Sequence, residues 1–201
     1  MHKPIVDCLL CNTPLQQIFG WQNFFIRQLP QVICARCEGK FERIIEQQEE
    51  GVRSLFMYNA AMKDYIHRYK FLGDVALAKV FSRLLSEIFK QQQALIVPIP
   101  MHPANLKKRT FAPVDELLTA AEIPFTHVLA KTTMETQVGK TRAQRLAVSQ
   151  LFDVVDRKLI ENNEIILFDD LYTTGTTIDH AKRALYEAGA REVQVVTLIH
   201  G

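Results

Sequence analysis

Two adjacent carboxylates, Asp169 and Asp170, stand directly before a threonine-rich turn in the stretch IILFDDLYTTGTT, residues 165–177. Ionised carboxylates only accept hydrogen bonds and repel anions. The turn has the opposite chemistry. Gly175 lets the backbone approach a ligand closely, and Thr173, Thr174, Thr176 and Thr177 add hydroxyl donors. The helix predicted from Thr177 to Glu187 turns its unpaired N–H groups toward an anion. A ligand that satisfies both halves carries vicinal hydroxyls at one end and a phosphate at the other, as a ribose 5-phosphate does. An isolated acid pair would read as a turn cap and a solvated charge; the attached turn favours the sugar phosphate. The loop lacks the lysine of a Walker A motif and the spacing of a dinucleotide fingerprint, so neither an ATPase nor a Rossmann dehydrogenase is supported.

A second constellation is Cys8, Cys11, Cys34 and Cys37, arranged as CLLC and CARC. Two C-x-x-C knuckles can close four thiolates tetrahedrally around zinc. The knuckles are slightly further apart than in the usual zinc ribbon, and the loop FGWQNFFIRQLPQ can absorb the difference. Two disulfides, a redox pair or buried free thiols are the alternatives. A closed four-thiolate site keeps no open position, so such a zinc folds the head without performing chemistry.

The N-terminal MHKPIVDCLLCNTPL lacks a basic segment followed by a long apolar one, and no segment is long enough to span a bilayer. A cytoplasmic location is expected, where cysteines stay reduced unless a metal holds them. Lys+Arg number 24 against Asp+Glu 22, a formal charge of +2. A strongly basic nucleic-acid binder is excluded, and any such contact must rest on a local patch.

The elements that position these residues follow from hydrophobic period. EGKFERIIEQQEEG predicts a short helix with Phe41, Ile44 and Ile45 on its apolar side, stopped by Gly51. This places a boundary between a head, residues 1–50, and a main domain, residues 51–201. Residues 53–58 predict a strand and AAMKDYIHRYKF a helix. A further helix is expected from Val75 to Lys90, with Val75, Ala78, Phe81, Leu84, Leu85 and Ile88 facing the core. ALIVPIP predicts a short buried strand, Val114–Ala121 a helix, and FTHVLAK and EIILF two more strands. The helix before Gly189 and a last strand, EVQVVTLI, complete the pattern. Strands alternating with helices predict an α/β fold, a parallel sheet covered on both faces, with ligands at the carboxyl ends of its strands.

An apolar strand, two acids and then TTGTT resemble the phosphoribosyl pyrophosphate (PRPP) motif of type I phosphoribosyltransferases. A four-cysteine head, IHRYKFLGD, VPIPMHPANLKKRTF, TQVGKTRAQR and ILFDDLYTTGTT, in that order, are similar to the ComF family, with GntX-type relatives further off. The resemblance implies a type I phosphoribosyltransferase-like sheet. It puts Asp169 and Asp170 on the ribose hydroxyls, as the acids on which any transfer depends. Thr173 to Thr177 would hold the 5′-phosphate, with Tyr172 in the same loop. Pro100, Met101 and His102 would lie near the pyrophosphate, with magnesium; the two prolines also suit a simple strand end. Lys70, in RYKF, matches a family position and can face the same cleft.

Lys107, Lys108 and Arg109 form one basic cluster, and Lys131, Lys140, Arg142 and Arg145 a second. They suit a solvated surface, a lid whose cations reach pyrophosphate, or a groove that tracks nucleic-acid phosphates. One departure matters. RTFAP stands where the family commonly shows RGFNQ, so Thr110 replaces the glycine and Ala112 the asparagine, and no role of that asparagine carries over. Some relatives have further cysteines; this chain has a single set of four, which implies one zinc.

No residue is an obvious nucleophile or general base, and phosphoribosyl transfer can proceed by positioning and electrostatic stabilisation alone. His127, His180 and His200 read as structural or surface histidines. Two functions follow. The resemblance implies a competence accessory protein that handles incoming single-stranded DNA in the cytosol, with a ComFA-like DNA translocase and a DprA-like loader as partners. Phe71, Phe111, Trp21, Phe24 and Phe25 lie near cations and suit either stacking on bases or an ordinary core. The alternative is an active phosphoribosyltransferase that moves ribose 5-phosphate from PRPP to a base or other small acceptor.

Overall fold

The structure, a computed structural model, describes residues 5–15, 29–46, 50–131 and 151–201. Lys140, Arg142, Arg145, Trp21, Phe24 and Phe25 lie outside the described residues.

In chain order the elements are α1 (Ala35–Glu38), β1 (Val52–Met57), α2 (Ala60–Ile66), a π-helical turn (His67–Phe71), a 3-10 segment (Val75–Phe81) and α3 (Ser82–Phe89). Then come β2 (Leu95–Pro98), α4 (Pro103–Arg109), α5 (Pro113–Ala120), β3 (Leu129–Lys131) and β4 (Phe152–Val154). The chain closes with β5 (Glu164–Tyr172), α6 (Thr176–Glu187) and β6 (Glu192–His200).

β1, β6, β5 and β2 lie side by side in that order, and every pairing is parallel. The apolar runs of β5 and β6 are explained by burial on both sides. Ile166, Phe168, Val196 and Leu198 face one core, whereas Ile165, Leu167, Val193 and Val195 face the other. The first core is filled by α2, α3 and α5, with Phe89 meeting Phe168 edge-on at 5.7 Å. The second is covered by α6 through Ile178, Ala181, Ala184 and Leu185. The α/β sheet covered on both faces is as the sequence predicts.

Local departures have physical causes. The stretch after Cys37 is not a helix through Phe41–Glu46 but an extended segment along β1. Ile44 N–H donates to the Leu55 carbonyl at 3.0 Å and Met57 N–H to the Glu42 carbonyl at 2.9 Å. It thereby satisfies backbone groups that the edge strand would otherwise leave unpaired. Phe41 enters the core and Ile45 points to water. The helix expected from Val75 begins as a 3-10 segment, whose three-residue turn changes the buried face. Leu77, Ala78 and Phe81 are buried while Val75 is exposed. Only Leu129–Lys131 of FTHVLAK forms a strand, antiparallel to β4 in a separate two-stranded sheet, while upstream the Thr126 N–H donates to the Ile96 carbonyl at 2.9 Å. α4 has no buried residue, so it left no hydrophobic period to detect.

The cysteine head is not insulated from the sheet. Cys8, Val32, Ile33, Cys37 and Phe41 belong to the same apolar cluster as Phe56, Tyr65 and Phe81. The Phe41 ring lies 6.1 Å from Phe56, 6.2 Å from Tyr65 and 5.1 Å from Phe81.

Candidate functional site

β5 carries its apolar residues into the sheet and delivers Asp169 and Asp170 at its carboxyl end. Asp170 is buried, and its Oδ2 lies 2.6 Å from Lys70 Nζ, itself only 13% exposed. Lys70 reaches it from the π-helical turn that extends α2. Asp169 Oδ1 accepts the Asp170 N–H at 2.8 Å. Burial pushes the Asp169 carboxyl up and the Asp170 carboxylate pushes it further; the Asp170 N–H, Lys70 and Lys131 offset part of this, leaving it at about 8. Asp170 is thus ion-paired with Lys70, beside an Asp169 carboxyl held well above the usual carboxylate range.

The turn that follows is shaped by Gly175, at φ +74° in the left-handed region. A Cβ there would come within 2.6 Å of Tyr172 Oη. Tyr172 is held by stacking on His200, 5.3 Å between centroids. Thr173, Thr174 and Thr176 are exposed, with the hydroxyls of Thr174 and Thr176 3.1 Å apart. Gly175 caps the first turn of α6, so the loop and the helix N-terminus present hydroxyl and N–H donors together.

On the other side, β2 ends at Pro98 and the chain passes through Pro100, Met101 and His102 into α4. His102 Nδ1 accepts the Ala104 N–H at 3.2 Å, which commits that nitrogen to capping the helix. Lys70, Pro100, Met101, His102, Arg109, Lys131, Asp169, Asp170 and Thr177 all line one cleft of about 210 Å³. Residues that the sequence scatters over three motifs therefore meet around one space. Asn105 and Asp115 line it too and were missed; the sequence offered no sign of α4, and Asp115 looks like an ordinary first-turn acid of α5.

The four cysteines form a second cluster in which every pair of Sγ atoms lies within 4.8 Å. Cys11 and Cys34 Sγ are 3.7 Å apart. Four thiolates about 2.3 Å from a tetrahedral zinc sit about 3.8 Å from one another, so this donor set fits such an ion. The Cys34 N–H also donates to Cys8 Sγ at 3.3 Å. Burial and then the neighbouring thiols push Cys37 up to about 12, whereas the Thr13 hydroxyl and backbone hold Cys11 down at about 5. Four sulfurs this close need a cation to be thiolates together. The cluster can hold a metal ion.

Residues 74–201 match the phosphoribosyl transferase domain family. The competence protein ComFC of Streptococcus pneumoniae (strain ATCC BAA-255 / R6) is 34% identical over 220 residues, which cover 96% of this chain and 100% of that protein. The competence protein ComFC of Bacillus subtilis (strain 168) is 30% identical over 233 residues, 99% of this chain and 96% of that one. The chain belongs to the ComFC family. Among solved structures, the glutamine PRPP amidotransferase of B. subtilis is 20% identical, covers 66% of this chain and 30% of its own, and has a TM-score of 0.46. A hypoxanthine phosphoribosyltransferase of Staphylococcus aureus is 14% identical, with 64% of each chain covered and a TM-score of 0.36.

The departure of this ComFC-family chain at Thr110 has a structural counterpart. Thr110 adopts φ +65°, a left-handed conformation that costs a β-branched residue and that a glycine takes freely. Its hydroxyl donates to the Arg109 carbonyl at 2.6 Å, a local bond that glycine cannot make. The candidate stacking aromatics separate cleanly. Phe111 is a core residue against Tyr69, 5.4 Å between centroids, whereas Phe71 is exposed. His127 pairs with Asp115 at 3.2 Å and His200 stacks on Tyr172, so both have structural contacts.

Gly175→Ala tests how much the turn depends on its left-handed residue. An alanine there costs about 1–2 kcal/mol in backbone conformation. It also drives Tyr172 off His200. Thermal unfolding is expected to shift down by several degrees. An unchanged midpoint would show that the loop relaxes freely.

Proposed function

We propose that this chain is a competence accessory protein that handles single-stranded DNA in the cytosol and carries a PRPP or ribose 5-phosphate site. The observation that carries the reading is the cleft itself. An acid pair, Thr177 in the first turn of α6, and cations from three other segments line it, with the threonine-rich turn directly following the acids in the chain. Asp169 and Asp170 would take the ribose hydroxyls and Tyr172–Thr177 the 5′-phosphate. Lys70, Arg109 and Lys131 would face the pyrophosphate beside Pro100, Met101 and His102, and Arg142 and Arg145 would join them or contact DNA. Magnesium would accompany the pyrophosphate and neutralise part of its charge. In the organisation proposed, Cys8, Cys11, Cys34 and Cys37 hold a structural zinc in the head, residues 1–50. Residues 51–201 are the phosphoribosyltransferase-like domain. The competence role is supported by the two relatives named as competence proteins. A ComFA-like translocase and a DprA-like loader are the partners it implies.

An active phosphoribosyltransferase is the second reading. The retained acid pair favours it, because transfer from PRPP needs positioning rather than a nucleophile.

The test is single-stranded DNA binding by fluorescence anisotropy, with and without PRPP and magnesium, on wild type and on the Asp169→Ala, Asp170→Ala double variant. PRPP is expected to change DNA affinity in wild type alone. DNA binding that is weak and indifferent to PRPP would sink the first reading. PRPP-dependent pyrophosphate release over a panel of bases would then decide for the enzyme.

A further inference from the structure

Phe71 and Leu72 are neighbours in sequence, yet they are 69% and 68% exposed. Two large apolar side chains side by side in water mark an interaction surface more often than isolated ones do. The π-helical turn explains how they come to be there. Within it Tyr69 and Lys70 point inward, the latter to Asp170, and Phe71 points out.

The surroundings of this pair decide what fits it. The Arg109 guanidinium lies over the Phe71 ring at 5.5 Å, and His67 stacks beside it at 6.0 Å. Both contacts are loose enough to leave most of the ring open. Lys107, Lys108 and Arg109 form the last turn of α4, a helix with no acid anywhere in PANLKKR. The adjacent acid Asp74 is engaged by Arg68 at 3.3 Å. A flat apolar ring bordered by Arg109, at the end of a helix whose cations form no ion pair among the described residues, suits a ligand that offers flat faces and phosphates in alternation.

We infer that Phe71, Leu72 and Arg109 form a stacking edge for the bases of single-stranded DNA, placed at the mouth of the cleft. The inference rests on the DNA-handling reading above and names the surface that performs it. Arg109 belongs to both places: it lines the cleft and covers Phe71. A strand stacked on Phe71 brings a phosphate to Arg109, the cation that a pyrophosphate group in the cleft also draws on. DNA and PRPP therefore compete, and PRPP weakens DNA binding.

The test compares oligothymidylate, an abasic strand of equal length and duplex DNA by anisotropy on the full chain. Phe71→Ala and Phe71→Leu should each weaken oligothymidylate binding about tenfold, as expected for loss of one base–aromatic stack. Phe71→Tyr should restore it. Abasic and duplex binding, and calorimetric PRPP affinity, should not change in any variant. Wild-type binding that survives Phe71→Ala overturns the inference and leaves the DNA reading intact. Retention by Phe71→Leu alone makes the edge a general apolar contact and also overturns it. Failure of the wild type to bind oligothymidylate removes the DNA reading and the inference together.

Discussion

Cys37→Ser is expected to empty the proposed zinc site and unfold the N-terminal head, with a fall of at least about 10 °C in the thermal midpoint. Zinc in a four-thiolate site contributes apparent binding energies of about 10–16 kcal/mol, and that energy is folding energy where the site does not pre-exist in the unfolded chain. Whole domains are stable by only about 5–15 kcal/mol. The head's loss cannot stay local, because Cys37 and Phe41 share one core with Phe56, Tyr65 and Phe81. Elemental analysis should find one zinc per wild-type chain and none in the variant. A strong chelator should reproduce the melting shift in the wild type. A serine variant with unchanged melting and full metal content would show that the thiols are not ligands.

Lys70→Met is the second large effect, and it acts on the carboxylates. Breaking a buried ion pair from one side leaves the other charge uncompensated and costs about 3 kcal/mol or more. Lys70 and Asp170 are 13% and 10% exposed, so water cannot repair the loss. Lys70 also holds Asp169 down, so its removal pushes that carboxyl further up. The sign of the pH dependence follows. Asp169 stands at about 8 in the folded chain against 3.8 ordinarily, so the folded state binds the extra proton between those values. Its contribution to stability is full below about pH 4 and is lost as pH rises through about 8. Urea unfolding of Lys70→Met should show the deficit most strongly at alkaline pH. Asp170→Asn added to Lys70→Met should recover much of the loss, since no buried charge is then left alone. Equal deficits in the single and double variants would mean that Lys70 matters by packing rather than by charge.

What the sequence made legible was whatever is contiguous. IILFDDLYTTGTT contains its own strand, acids, turn and helix start, so its geometry could be written down directly. The parallel sheet was equally open to reading, because β5 and β6 are apolar on both faces. Three things escaped. α4 buries nothing, so its cations had no visible scaffold. The segment after Cys37 has helix-like spacing, but the open edge of β1 outweighs it through backbone pairing. The Lys70–Asp170 contact joins residues from distant elements, and only the π-helical turn gives Lys70 its direction. Phe71 and Phe111 looked alike in sequence, yet Phe111 packs on Tyr69 in the core and Phe71 faces solvent.

HRYKF, the π-helical turn His67–Phe71, addresses a different destination with almost every residue. Arg68 donates to the carbonyls of Leu9 and Leu10 in the first cysteine knuckle, at 2.9 and 3.2 Å. Tyr69 Oη donates to the Pro113 carbonyl at 2.7 Å. Lys70 meets Asp170, and Phe71 meets solvent. These assignments depend on count rather than on composition. A substitution here removes one connection and spares the others. Inserting or deleting a single residue would rotate every later side chain by about a hundred degrees and misdirect them together. Length, more than identity, is what this short stretch has to preserve.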